Sequence, residues 1–204
     1  MLIIGLTGSI GMGKSTAAAR FKARGIPVCD ADAEVHKLYA GAAVPLIEAV
    51  FPGTTGPQGV DRAKLAAAVI RDPGGFKRVE SIIHPLVREA ERDFLRREHA
   101  RGADMAVLEI PLLFETRGER NVDVVVVVSA PAEAQRKRVL DRPGMTIEKL
   151  DQMLVRQLPD AEKRARAHFV VDTGGSIADA EAQIDRIIDQ LRGRSGTAFD
   201  RFWA

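Results

Sequence analysis

Residues 8–15 read Gly-Ser-Ile-Gly-Met-Gly-Lys-Ser and follow directly on the apolar run Leu2-Ile3-Ile4-Gly5-Leu6. A buried strand ending at Thr7, a glycine-rich loop and then a helix constrain the fold more than any other stretch of the chain. The glycines let the backbone curl until consecutive amide hydrogens face inward, and the helix opened by Lys14 and Ser15 aims its positive end at the same point. Gly8 and Gly13 are the signature glycines, and Gly11 adds conformational freedom. In such a cradle the loop residues Gly8, Ser9, Ile10, Gly11, Met12, Gly13, Lys14, Ser15 and Thr16 contact a nucleotide. Lys14 reaches the β- and γ-phosphates and the Ser15 hydroxyl binds Mg2+. The pattern therefore predicts nucleotide-dependent phosphoryl transfer with a nucleotide and Mg2+ bound at the loop.

The remaining text reads as an α/β chain with a parallel sheet. A helix over residues 14–24 is followed by a short strand, Ile26-Pro27-Val28-Cys29, with Asp30 and Asp32 at its carboxyl end, where ligand-facing residues of such sheets belong. A mostly helical stretch comes next, with helices predicted over 33–39, 42–50, 62–70 and 85–101. They are separated by turn-rich text such as Pro52-Gly53-Thr54-Thr55-Gly56-Pro57. Strands resume over 105–109 and 122–128, the latter apolar enough to be buried on both faces. Between them Pro111-Leu112-Leu113-Phe114-Glu115 is a loop of unusually apolar content. Helices over 132–141, 147–156, 160–167 and 177–191 and a strand over 169–171 complete the core. A tail from Gly193 carries Phe199, Phe202 and Trp203, residues suited to docking on the body; no function is assigned to it.

Composition narrows the classes further. With 204 residues and 46% hydrophobic content, the chain can bury one α/β core and still carry a substrate-binding insertion. Thirty basic residues against 28 acidic ones leave a net charge of +2, too balanced to make a nucleic-acid surface. Cys29 is the sole cysteine, which excludes a disulfide framework and favours a reducing compartment. No apolar run approaches the roughly 20 residues needed to cross a bilayer, and no basic leader precedes the first strand. A cytoplasmic location is expected, with a small molecule as partner rather than nucleic acid or membrane. The chain is read as a monomer with at most weak self-association.

Two sets of charged residues supply candidate chemistry. Phosphoryl transfer needs a group that orients the acceptor hydroxyl and takes its proton, and Asp32, opening a helix beyond the second strand, suits that role. Taken alone, Asp30-Ala31-Asp32 also reads as a helix cap, and Asp30 suits that task. Glu109, at the end of the third strand, is suited to a metal-bound water or an incoming ligand, or to a solvated strand end. On the basic side, Arg138 and Arg142 stand four residues apart on one helical face, aimed into a loop that ends at Met145-Thr146, and could bracket a polyphosphate in a closing lid. Solvated face is the alternative. In His84-Pro85-Leu86-Val87-Arg88 the histidine is placed to cap a helix beginning at Pro85, and Arg88 to meet an anion one turn on. His36, His84, His99 and His168 have no zinc-like spacing.

Taken in order, Ile4-Gly5-Leu6-Thr7 with the phosphate loop through Thr16, Asp30-Ala31-Asp32, Asp61-Arg62 with Leu65, Ile83-His84-Pro85 with Arg88, Ile110-Pro111-Leu112-Leu113-Phe114-Glu115, then Gln135, Arg138, Arg142 and Arg156-Gln157, resemble the bacterial dephospho-coenzyme A kinase family over nearly the whole chain. The resemblance implies a three-layer P-loop nucleoside triphosphate hydrolase fold with a five-stranded parallel sheet. It implies transfer of the ATP γ-phosphate to the ribose 3′-hydroxyl of dephospho-coenzyme A, the last step of coenzyme A biosynthesis. On this basis residues 1–204 form one kinase domain, with a helical acceptor-binding insert over 40–100 and a lid over 136–165. Asp32 is the expected base, and Lys14, Arg138 and Arg142 act on the phosphates, Arg142 also binding ATP. Thr7, Asp32, His84, Arg88, Glu109, Pro111, Leu112 and Leu113 are expected to bind the acceptor. The chain departs from the family pattern at His168 before the last strand, at Thr173-Gly174 after it, and at Glu109 where Asp is frequent.

Other readings share part of this pattern. A nucleoside or nucleoside-monophosphate kinase would have the same core, and acceptor selectivity would lie in the helical stretch. A nucleotide-dependent switch would need a water-positioning group, and no guanine-reading Asn-Lys-x-Asp motif occurs.

Overall fold

The computed structural model describes residues 1–204. In chain order the elements are β1 (Leu2–Thr7), α1 (Lys14–Ala23), β2 (Val28–Asp30), α2 (Ala31–Tyr39), α3 (Val44–Val50), β3 (Thr55–Gly56), β4 (Gly59–Val60), α4 (Arg62–Arg71) and α5 (Gly75–Ala100). They continue with β5 (Met105–Glu109), β6 (Val124–Ser129), α6 (Ala132–Leu140), α7 (Ile147–Val155), α8 (Asp160–Ala165), β7 (Phe169–Asp172) and α9 (Ile177–Leu191). The chain divides into two compact units, one of Met1–Cys29 with Leu95–Ala204, the other of Asp30–Phe94. No helix is long and apolar enough to cross a membrane.

A five-stranded sheet in the order β2-β5-β1-β6-β7 forms the frame of the first unit. Strand β1 lies between β5 and β6 in parallel register, and β7 adds in parallel to β6. Every residue of β1, β5 and β6 is buried, as expected for strands covered on both faces. The valine run of β6 divides by the two-residue pleat: Val124, Val126 and Val128 share a core with Leu2, Ile4 and Leu6 of β1, Phe21 of α1, and Ile184 and Ile188 of α9. Val125 and Val127 pack on the opposite face with Leu113 and Phe114. Helix α9 presents Ala180, Ile184, Ile187, Ile188 and Leu191 as one buried stripe, and a reciprocal Ser176–Asp179 capping box starts it.

The tail docks on this unit. Phe199 and Trp203 are buried, the Trp203 indole N–H donates to the Asn121 carbonyl at 2.8 Å, and His99 stacks on Phe199 at 4.2 Å. Asp123 fastens its approach, accepting from the amides of Thr197 and Ala198 at 2.7 and 2.9 Å and, through its other oxygen, from Ile3 at 2.8 Å.

The second unit has its own core, in which Ile47, Phe51, Leu65, Val69 and Ile83 are buried together with Ala43. The turn-rich text around Pro52 contains a small antiparallel pair, β3 with β4. The helix expected to begin at Pro85 instead runs unbroken from Gly75, so Pro85 lies inside it and His84 caps nothing. A proline within a helix removes one backbone hydrogen bond and crowds the preceding turn. Here its ring is solvent-exposed, and Ile83 before it with Leu86 and Val87 after it pack into the second unit's core and hold the helix through it.

Candidate active site

The phosphate loop joins β1 to α1 in the first unit. Gly13, the residue before α1, has φ 85°, a left-handed conformation that side chains disfavour. Gly11 has φ 77° and lies so close to α6 that a Cβ there would stand 2.5 Å from Val139 Cγ2 and 3.1 Å from the Gln135 carbonyl oxygen. The first amides of α1 have no intrahelical acceptors and are the donors expected to meet phosphate. Two loop amides are engaged inside the protein: Met12 N–H donates to the Ser9 carbonyl at 3.1 Å, and Ile10 N–H to Gln157 Oε1 at 3.1 Å. Gly8 and Ser9 are buried, and the side chains of Ser15 and Thr16 are exposed.

Lys14 and Glu109 meet in this site. Lys14 Nζ donates to Glu109 Oε1 at 2.6 Å, and the carboxylate, at the end of β5, is almost wholly buried. Thr7 is also buried, its hydroxyl donating to the Pro111 carbonyl at 3.2 Å, so it ties the loop after β5 to β1. Pro111 and Leu112 are half-buried, whereas Leu113 has no exposed surface and packs with Val125 and Val127. Core packing, not a cleft wall, therefore explains the Leu113 side chain.

The arginines separate. Helix α6 ends at Leu140 with Asp141 as its C-terminal cap, so Arg142 lies past the helix, exposed, and does not share a helical face with Arg138. The Arg138 guanidinium donates to the Thr173 carbonyl at 2.6 Å. Thr173, where the family pattern departs, is buried and donates from its hydroxyl to the Met12 carbonyl at 2.8 Å, so it supports the loop from below. His168 is exposed; its Nδ1 accepts from the Val125 amide at 3.0 Å, which requires that nitrogen to be unprotonated.

In the second unit the two aspartates divide their tasks. Asp30 Oδ1 accepts from the amides of Asp32 and Ala33 at 2.9 and 3.1 Å, making Asp30 the N-terminal cap of α2. Asp32, exposed in the first turn, lines a cavity of about 590 Å³ whose walls include Val35, Tyr39, Arg62, Leu65, Val69 and Phe76. Arg62 lies over the Tyr39 ring at 5.5 Å and its guanidinium is 2.6 Å from His36 Nδ1. An apolar hollow edged by two carboxylates, Asp32 and Glu80, and one guanidinium, Arg62, suits a ligand with an apolar arm and polar ends. His84 and Arg88 are exposed on α5 and do not line it. Glu91, on the same helix, is buried, and desolvation pushes its carboxyl up to about 7 against the pull of Arg88.

Several contributors carry weak sequence signals. Gln135 is buried beneath the loop, Gln157 reaches Ile10, and a wholly buried Lys163 stands 2.9 Å from Glu115. Gln135 and Gln157 enter the sequence reading only as part of the family resemblance, with no role attached, and Lys163 sits in polar helical text that reads as solvated surface.

A strand-to-helix phosphate cradle on a parallel sheet, with its lysine held at the end of the neighbouring strand, is the arrangement of P-loop kinases. Comparison with known proteins narrows that class: the chain belongs to the dephospho-CoA kinase family. The family profile described as dephospho-CoA kinase matches residues 2–179. A dephospho-CoA kinase of Mesorhizobium japonicum is 57% identical over 197 residues, covering 97% of this chain and all of the relative. Among solved structures, a Thermus thermophilus protein superposes with a TM-score of 0.80 at 36% identity, covering 94% of this chain and 98% of its own. A dephospho-CoA kinase from Campylobacter jejuni does so with a TM-score of 0.69 at 26% identity, covering 93% and 96%.

Proposed function

We propose that this enzyme transfers the γ-phosphate of ATP to the ribose 3′-hydroxyl of dephospho-coenzyme A, forming coenzyme A and ADP. The observation that carries this reading is family membership over residues 2–179, a span that includes the whole second unit as well as the phosphate loop. The 3′-oxygen attacks the γ-phosphorus, the bond to the β-phosphate oxygen breaks, and the hydroxyl proton passes to the Asp32 carboxylate. Lys14 holds the transferring phosphoryl group, exchanging its contact with Glu109 for one with the nucleotide as charge develops. Arg142 supplies further positive charge and helps exclude water. The cavity beside Asp32 is assigned to the acceptor, its apolar wall suiting the pantetheine arm.

Mg2+ fits the residues present. No cluster of three or more His, Cys, Asp or Glu side chains surrounds the loop. The loop offers the exposed Ser15 hydroxyl, a single hard oxygen of the kind Mg2+ accepts while keeping water and phosphate ligands. Ser15 would hold the ion, which would supply neutralisation of the nucleotide's phosphate charge.

The test is ADP release from magnesium-ATP with dephospho-coenzyme A, adenosine, AMP or water as acceptor. Stimulation by dephospho-coenzyme A, with coenzyme A as product, supports the assignment. Stimulation by a different acceptor would reassign the second unit, and hydrolysis indifferent to every acceptor would favour a nucleotide switch.

A further inference from the structure

One residue of the phosphate loop, Ile10, is held from two directions, through the peptide group on each side of it. Gln135 Nε2 donates to the Ile10 carbonyl at 2.8 Å, and the Ile10 amide donates to Gln157 Oε1 at 3.1 Å. Gln135 belongs to α6, and Gln157 follows the C-terminal cap of α7, so the two glutamines bound the segment 136–156 that carries Arg138, Arg142, Lys149 and Arg156. Both ends of this basic segment are thus tied to the same loop residue. Neither tie is loose. Gln135 is buried, and only a residue without a Cβ at position 11 lets α6 approach the loop so closely. Beyond Gln157, the Leu158 amide donates to Glu115 Oε1 at 2.7 Å, and that oxygen lies 2.9 Å from the buried Lys163 ammonium.

We propose that Gln135 and Gln157 are positioning residues for phosphoryl transfer, making segment 136–156 respond to nucleotide at the phosphate loop through the backbone of Ile10. The inference rests on the kinase reading above. Simple stitching of the fold could use any peptide; here both ties end on a loop whose neighbouring amides are the phosphate donors. A shift of the Ile10 backbone when phosphate binds moves both ends of the segment together, and displacement of either end alters the loop.

The test uses the full-length enzyme. Gln135→Met and Gln157→Met keep side-chain length and remove the hydrogen-bonding ends, while Gln157→Glu keeps an acceptor for the Ile10 amide. The readouts are ADP formed per acceptor phosphorylated, hydrogen exchange over 136–156 with and without magnesium and a non-hydrolysable ATP analogue, and the thermal midpoint. Each Met variant is expected to raise the ADP-to-product ratio about three- to tenfold, the range one lost hydrogen bond spans. Each is also expected to lose nucleotide-induced protection of the segment. The double variant is expected to be no worse than the more affected single one, because both act on one loop residue. Gln157→Glu is expected to restore the protection. If Gln157→Met does not fold, Gln157→Asn, too short to reach Ile10, takes its place. An unchanged ratio with unchanged protection, whether or not the midpoint falls, would overturn the proposal, as would additive effects. The exchange measurement needs no acceptor, so it separates failure of this proposal from a wrong choice of acceptor.

Discussion

Asp30 and Asp32 are chemically identical and two positions apart, yet one accepts two helix amides while the other leaves its carboxylate on a cavity wall. Asp30→Ala is therefore expected to reduce stability by about 1 kcal/mol, read as a lower thermal midpoint. Asp32→Asn should leave stability nearly unchanged and lower kcat about 10²- to 10³-fold, with a small change in acceptor KM. Equal effects on kcat and KM would make Asp32 a ribose ligand rather than a base. Glu91 adds a pH dependence of its own. Its carboxyl is raised to about 7 in the folded state against 4.5 ordinarily, so both states are protonated below the lower value. As pH rises between those values the unfolded chain releases its proton first, and stability declines by up to about 3 kcal/mol before levelling off. Thermal midpoints of Glu91→Gln followed from pH 4 to pH 8 should lack that decline. The aspartate pair and the loop lysine are legible in the sequence because their neighbours announce them. Glu91 is not, since only packing decides whether a glutamate in a charged helix is buried.

Helix α5 shows how far an element can override local preference. Pro85 predicts a start, yet the helix spans Gly75–Ala100, anchored by core-packed residues on both sides of the proline. Pro85→Ala should therefore stabilise the protein, by about 1–2 kcal/mol, by returning the missing backbone hydrogen bond without altering the exposed face. An unchanged or lower urea midpoint would show that the ring is needed where it stands. Helix α8 makes the opposite point. Its Lys163 reads as surface in Asp160-Ala161-Glu162-Lys163-Arg164, but it is wholly buried beside Glu115. Taking two charges out of water is costly, so the pair persists only because each ion compensates the other. Helix α6 ends two residues before Arg142, so Arg142 does not share a helical face with Arg138, a boundary of the kind that sequence pattern resolves least well.

At the scale of the molecule, the tail is part of the first unit's packing. Removing residues 193–204 would expose the surfaces that Phe199 and Trp203 cover, a loss of about 3–5 kcal/mol from apolar burial, while the phosphate loop keeps its own contacts. A truncated enzyme with an unchanged thermal midpoint would mean that the tail contributes little. The sequence by itself determined the phosphate cradle, the buried strands around it and most helices, because these depend on glycine conformational freedom, residue periodicity and capping within a few positions of chain. Tertiary structure alone decided the strand order β2-β5-β1-β6-β7, the burial of Lys163 and Glu91, the continuity of α5 through Pro85 and the meeting of Gln135 and Gln157 on Ile10. Those outcomes join residues far apart in sequence. Their free energy comes from surfaces and polar groups that acquire partners only when the chain is packed, so no local pattern can encode them alone.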